Sequence, residues 1–395
     1  MSQDLTYLGL NIIGFILIIK WFKEQIRDYK SIESKQDFFV FKRFQSVFYV
    51  LMILTIPLLL INYTDIEVAN HLPIDSLKKN HHFYAIITSL FISLVWLRYI
   101  LKLDIFDKEK KRYLILIFIL STSFTLLARF PYSFIHNMGI TDSTTNTLQS
   151  FIYSIFGIGL VEETIKFIPF LILLRFTGAI DEPYDYILYA SVSALGFAFV
   201  ENSIYLNNYG LHIIGGRALY ATVAHMVFSS TLAYGLFLIK FKHTKIHPVL
   251  TFIAFYLLAI FFHGFYDFWI MNKSVSAFSG LTTLFLLLGV HLWFKMSNNT
   301  INASNYYSKE KTLNNDGLKK YLTFGLLSIL MFSYLYIAFK NNSKEANSFL
   351  LESVFVYGYL IFYLIATLTR YDIVQGVLLP IHINLKNIIP QKKKK

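Results

Sequence analysis

At 395 residues the chain could hold two or three soluble domains, but 55% of it is hydrophobic, 18% is aromatic and only 15% is charged. A soluble globule would expose too much of that apolar surface, so the composition points to an all-α, polytopic membrane protein. The formal net charge is +12, and the absence of cysteine excludes disulfides, thiolate metal ligands and thiol nucleophiles.

Eleven apolar stretches are long enough to cross a bilayer as helices, at roughly 5–21, 45–63, 83–101, 113–128, 149–174, 184–207, 217–239, 247–271, 275–294, 321–339 and 348–369. The first is not a removable signal peptide: no basic residue precedes it, and Lys20-Trp21 stands where a small-residue cleavage site is needed. The fourth is short and is expected to run on into FPYSF. If Met1 is outside, 28 of the 36 Lys and Arg fall in cytoplasmic segments and seven in outer ones, with Lys166 inside the membrane. That bias predicts eleven helices with the N-terminus out and the C-terminus in. The positive charge is therefore a topology signal spread over short loops rather than a nucleic-acid surface, and the terminal QKKKK is expected to lie on anionic lipid headgroups. TDSTTNT and SNNTINASN read as flexible connectors. No inverted repeat of the transporter kind is visible.

The deep ionisable residues divide the chain into 1–148 and 272–395, which have almost none, and a core at 149–271 that holds them all. The flanks read as scaffold or substrate-handling helices. In the fifth stretch Glu162 and Glu163 precede Lys166 at i,i+4 and i,i+3, so one lysine can reach either carboxylate. Adjacent carboxylates diverge by about 100° around a helix, which lets one enter a site while the other is paired. Charge at that depth costs a few kcal/mol and is rare without a partner. An ion pair joining helices is the structural alternative.

The sixth stretch is apolar up to Glu201 and Asn202, and its Gly196 permits close helix approach. The seventh brings His225, with Ser229 one turn on. The eighth brings His263 and Asp267 at the i,i+4 spacing of a carboxylate that orients an imidazole. Each has a plain reading as a packing residue or local hydrogen bond. Their depths, however, agree. Glu162 and Glu163 lie roughly 20 Å from the outer end of their helix, and Glu201, His225 and His263 roughly 9–12 Å below the outer surface.

Two or three carboxylates and two imidazoles from four helices suit hydrolysis, with water activated by a divalent metal or by a glutamate base. An ion-coupled transporter with a Glu/His/Lys relay is the rival, although it needs polar groups toward both faces. HExxH, GxGD and GxSxG are absent, so zincin-type, aspartyl-type and serine-elbow hydrolases are excluded.

EETIK (Glu162–Lys166), DEPYDYILYASVSALGFAFVEN (Asp181–Asn202), the His225 helix after Arg217, and HGFYD (His263–Asp267) resemble the PrsW family of intramembrane proteases. More distantly they are similar to the CAAX prenyl endopeptidase and bacteriocin-processing group. The resemblance covers about 110 residues. It implies a catalytic or metal-ligating set of Glu162, Glu163, Glu201, His225 and His263, supported by Lys166, Asn202 and Asp267. Glu163, Glu201, His225 and His263 are the implied ligands of one divalent metal, Zn²⁺, with a metal-free glutamate mechanism as the alternative. It further implies a membrane-anchored protein substrate, such as an anti-sigma factor, cut near the outer leaflet of a bacterial inner membrane. DEPYD also reads simply as a helix start, with acidic residues before Pro183 in the first turn.

Overall fold

The computed structural model of the chain describes residues 78–380 apart from 144–145, 242 and 341–342. The expected helices at 5–21 and 45–63 and the basic tail lie outside the described residues. Among the described residues every regular element is helical. The α-helices, in order, are α1 (Lys78–Leu103), α2 (Lys111–Leu126), α3 (Arg129–Asn137), α4 (Thr147–Ile152), α5 (Leu160–Phe176), α6 (Pro183–Tyr209), α7 (Thr222–Lys240), α8 (Pro248–Met271), α9 (Gly280–Asn302), α10 (Asn315–Lys340) and α11 (Ser343–Thr367).

Eight segments among the described residues are long and apolar enough to cross a membrane. One is Lys111–Asn137, in which α2 continues into α3 as the FPYSF run suggests. The stretch at 149–174 is composite: α4 passes through a π-helical turn, Tyr153–Gly159, into α5. The charged trio sits just beyond that turn. π-Turns inside helices are commonly found at functional sites.

Burial decides which helices are central. In both α6 and the segment Gly216–Lys240, 83% of the most apolar window is buried, against 22% in α11. α6 packs against α1, α2 and α7, while α7 packs against α8 and α9. Large apolar side chains such as Phe324, Phe355 and Phe362 are exposed on the outer helices, as expected where lipid is the solvent.

Because lipid is as apolar as leucine, these helices associate through small residues and interhelical hydrogen bonds. A Cβ on Gly196 would stand 2.5 Å from the Phe118 carbonyl oxygen, so α2 and α6 touch backbone to backbone there. Gly159 and Gly264 do the same for the π-turn and α8, each with 2.5 Å between an added Cβ and the opposing backbone. Ser193 Oγ donates to the Lys166 carbonyl at 2.6 Å, tying α6 to α5.

α6 starts as the DEPYD motif suggests. Glu182 is the N-cap and Pro183 opens the helix, with Asp185 completing a capping box. Asp185 Oδ2 accepts from the backbone N–H groups of Asp181 at 3.0 Å and Glu182 at 2.7 Å.

One polar stretch differs from its expected role as a connector. SNNTIN continues α9 to Asn302 and is buried. Its amides bind the segment after α11: Asn298 Oδ1 accepts from Asp372 N, and Asn299 and Asn302 each bond residues of 374–379 through both ends of the amide. Composition marks these residues as loop formers; the backbone they satisfy makes them core.

Candidate active site

The site is built where α5, α6, α7 and α8 bring their ionisable side chains to one level. The Glu162–Glu163 pair diverges as helical geometry requires. Glu163, 1% exposed, turns inward. Its Oε1 accepts from Lys166 Nζ at 2.6 Å and lies 2.8 Å from His263 Nδ1, while its Oε2 accepts from Ser229 Oγ at 3.0 Å. Glu162 faces a cavity of about 970 Å³. Tyr132 OH donates to Glu162 Oε1 at 2.6 Å. Its Oε2, buried and without a hydrogen-bond partner, stands 3.3 Å from His263 Nε2 and 3.8 Å from Lys166 Nζ.

His263 is thereby oriented at both nitrogens. Nδ1 addresses Glu163 behind the cavity, and Nε2 points toward Glu162 and toward Asp267 Oδ2, also at 3.3 Å. This is the imidazole–carboxylate pairing that fixes a tautomer and leaves the other nitrogen for chemistry. His225 lies edge-on to His263, with ring centroids 5.2 Å apart. Its Nδ1 accepts from Lys166 Nζ at 3.0 Å, and its Nε2 lies 2.7 Å from Glu201 Oε2. Lys166 is fully buried, 4.5 Å above the Phe197 ring, with its ammonium held by Glu163 and His225.

Glu201 is shared. Arg217 Nη2 donates to its Oε2 at 2.7 Å, while Arg217 Nε donates to Asn202 Oδ1 at 2.7 Å. Asn202 Nδ2 donates onward to Thr222 Oγ1 at 3.0 Å. Asn202 thus reaches Glu201 only through the guanidinium, which stacks 4.3 Å from the Tyr205 ring.

All eight residues expected from the sequence converge here. Glu162, Glu201, His225, His263 and Asp267 line the cavity, whereas Glu163 and Lys166 stand behind it and Asn202 is reached through Arg217. Sequence reasoning misses two contributors. Arg217 is counted only among the outer-segment charges, and Tyr132 enters only as part of the FPYSF run. No spacing rule connects either to a glutamate on another helix; only FPYSF, as a polar break in an apolar run, hints at Tyr132.

Glu162, His225 and His263 each offer a donor atom within 4.8 Å of the others and could hold a metal ion. Two imidazoles and a carboxylate are a donor set of catalytic zinc sites. Two observations favour the fit. The Glu162 Oε2 is a buried oxygen without a hydrogen-bond partner. When ionised, the four carboxylates Glu162, Glu163, Glu201 and Asp267 also exceed the two fixed cations Lys166 and Arg217 by two charges, which a divalent ion would balance. His225 would have to release Lys166 or Glu201 to ligate.

The cavity lies toward the end of the bundle where α3, α6 and α8 finish and α9 begins, and its wall includes Asn137, Tyr205, Met271 and Ser279. Tyr357 of α11 closes another side, and Phe228, Tyr266 and Ile158 supply apolar lining.

Residues 109–294 match the model of the PrsW family intramembrane metalloprotease. Over 143 residues the chain is 35% identical to Protease PrsW of Oceanobacillus iheyensis, covering 36% of this chain and 63% of that protein. It is 35% identical over 112 residues to Protease PrsW of Shouchella clausii, covering 28% and 50%. It is 28% identical over 145 residues to Protease PrsW of Bacillus subtilis, covering 37% and 64%. The chain thus spans about half to just under two thirds of the length of these curated relatives. No solved structure matches it significantly. The matched region contains every residue of the convergent site, so the likeness to the PrsW family of intramembrane metalloproteases falls on the part of the chain that builds the site.

Proposed function

We propose that the chain is an intramembrane endopeptidase whose catalytic part lies in residues 149–271 and which hydrolyses a peptide bond of a membrane-anchored protein. The observation that carries this reading is the buried Glu162 Oε2, without a hydrogen-bond partner, beside His263 Nε2 at the cavity wall. Glu162, His225 and His263 would hold a divalent metal, Zn²⁺ by donor type. Bound there, such an ion would polarise a carbonyl and make a water acidic enough to attack near neutral pH.

The chain's own groups do the positioning. Tyr132 holds one oxygen of Glu162 and so turns the other toward His263. Glu163 holds His263 Nδ1, which keeps Nε2 facing the cavity. Lys166 neutralises Glu163 and ties His225 to the same group. Arg217 fixes Glu201 against His225. Glu201 and Asp267 remain at the cavity wall as carboxylates able to take or give a proton. The apolar lining would hold an unwound segment of substrate away from water.

The Lys and Arg distribution supports an N-out, C-in arrangement, and on that reading the site would lie toward the outer leaflet of a bacterial cytoplasmic membrane. A substrate of the anti-sigma-factor kind would meet it there. The relay-transporter reading is not retained, because the family match names a metalloprotease.

The test is the purified full chain in liposomes with a single-span peptide substrate and metal analysis of the same sample. Cleavage with about one divalent ion per chain, both lost in His225→Ala and His263→Ala, is the expected result. Cleavage by an active sample without stoichiometric metal would replace the metal reading with a glutamate-activated water.

A further inference from the structure

At the opposite end of α6 a second group of carboxylates comes together around the DEPYD motif, which the proposed reaction does not use. Glu109, from the start of α2, meets Asp181 and Asp185 from the start of α6. Each offers one oxygen, and all three lie within 4.8 Å of one another. Asp104, Asp107 and Glu182 surround them.

An acidic cluster can be an accident of capping, but one oxygen here is not explained by capping. Asp185 is fully buried, and only its Oδ2 serves the helix start. Its Oδ1 is buried with no hydrogen-bond partner. That side chain lies against the Glu109 carboxyl, whose Oε2 already takes the Tyr189 hydroxyl. When both carboxyls are ionised, two acceptors face each other with no donor between them, which burial makes unfavourable. A cation resolves that conflict.

We propose that Glu109, Asp181 and Asp185 form a divalent-cation site, separate from the cavity and about 24 Å from Glu201 along α6. The chemistry defines the class of ion. All donors are carboxylate oxygens, with no imidazole or thiolate, which selects a hard ion, Ca²⁺ or Mg²⁺. Oxygens no more than 4.8 Å apart fit within one coordination sphere, because ligands on opposite sides of Ca²⁺ stand about 4.6–5.2 Å apart. The partly exposed Asp181 would leave room for water ligands on its side. Bound there, the ion fastens the α1–α2 loop and the α5–α6 loop to the first turn of the helix that carries Glu201 and Asn202.

The test uses Tb³⁺ as the probe, on the full chain in detergent micelles. The Tyr189 hydroxyl on Glu109 brings a sensitiser to the site, so tyrosine excitation reports occupancy. Saturable Tb³⁺ emission that Ca²⁺ or Mg²⁺ displaces is expected. It should persist in His263→Ala and weaken about tenfold or more in apparent affinity in Glu109→Gln and Asp181→Asn. Asp181 is exposed in a loop, so the second variant leaves the core packing intact. A readout that needs no variant accompanies these: the melting temperature of wild type should rise on replacing EDTA with Ca²⁺ or Mg²⁺. Absence of displaceable emission, equal binding by both variants, or a melting temperature indifferent to either ion would overturn the proposal and leave Glu109 and Asp185 sharing a proton.

Discussion

Glu162 and Glu163 are neighbours in the chain but stand on opposite sides of the wall they form: Glu162 faces the cavity with a buried oxygen to spare, and Glu163 is closed off by Lys166, Ser229 and His263. The first is placed to hold a ligand or water, the second to hold the groups that do so.

Glu163→Gln should be the more damaging change for stability. It leaves the Lys166 ammonium buried without its 2.6 Å counter-ion, which costs about 3–5 kcal/mol. Thermal unfolding in detergent should show this loss, and the double variant Glu163→Gln, Lys166→Met should recover much of it without recovering cleavage. If the single variant melts like wild type, the pair is not the buried ion pair described here.

The meeting of the π-turn with α8 should tolerate no methyl group. Gly264→Ala places a Cβ 2.5 Å from Ser154 O and from Ile155 Cα, so α8 must shift, and His263 with it. A cost of about 1–3 kcal/mol is expected for the overpacking, with activity falling further than stability implies. Gly178→Ala, which meets nothing within 4 Å, is the matched control and should behave as wild type in both assays.

Arg217→Lys keeps the charge but loses the rigid planar fork whose Nε and Nη2 reach Asn202 and Glu201 together. Losing one charge-assisted hydrogen bond of about 1.5–3 kcal/mol corresponds to a drop of roughly 10- to 100-fold if Glu201 must be held for reaction. Wild-type kcat/KM in this variant would show that the guanidinium is dispensable.

At the opposite end of α6, burial, reinforced by neighbouring carboxylates, pushes Glu182 from 4.5 up to about 7 and Asp104 from 3.8 up to about 6. The folded state therefore holds these protons more tightly than the unfolded chain does. The stability they contribute is fully present below about pH 4 and is lost as pH rises through 6 to 7. With EDTA present, the melting temperature should fall across that window, and Glu182→Gln should flatten the fall. A melting temperature that rises from pH 4.5 to 7 and is unchanged by the substitution would contradict the assignment.

Most of the site is legible in the sequence because charge inside an apolar helix is costly, and that cost marks Glu162, Glu163, Lys166, His225 and His263 without any structure. The i,i+4 rule likewise anticipates His263 beside Asp267, and the glycine in the sixth stretch anticipates its contact with α2. What sequence cannot supply is a partner on another helix: Tyr132 and Arg217 reach their glutamates from 30 and 16 residues away, respectively, at angles set by packing. Local rules also mislead where tertiary contacts reward a polar run, as with SNNTIN, whose asparagines read as a connector yet cap the backbone after α11. The π-helical turn before Glu162 leaves no periodic signature.

The central claim is that Glu162 works at the reacting centre. Its most direct test is the initial rate at which reconstituted Glu162→Gln cleaves a single-span substrate in liposomes, relative to wild type, with folding verified by an unchanged melting temperature. A loss of about 100-fold or more is predicted, the range expected when a positioned acid–base or ligand group is removed. A folded Glu162→Gln protein that cleaves at the wild-type rate would contradict the account.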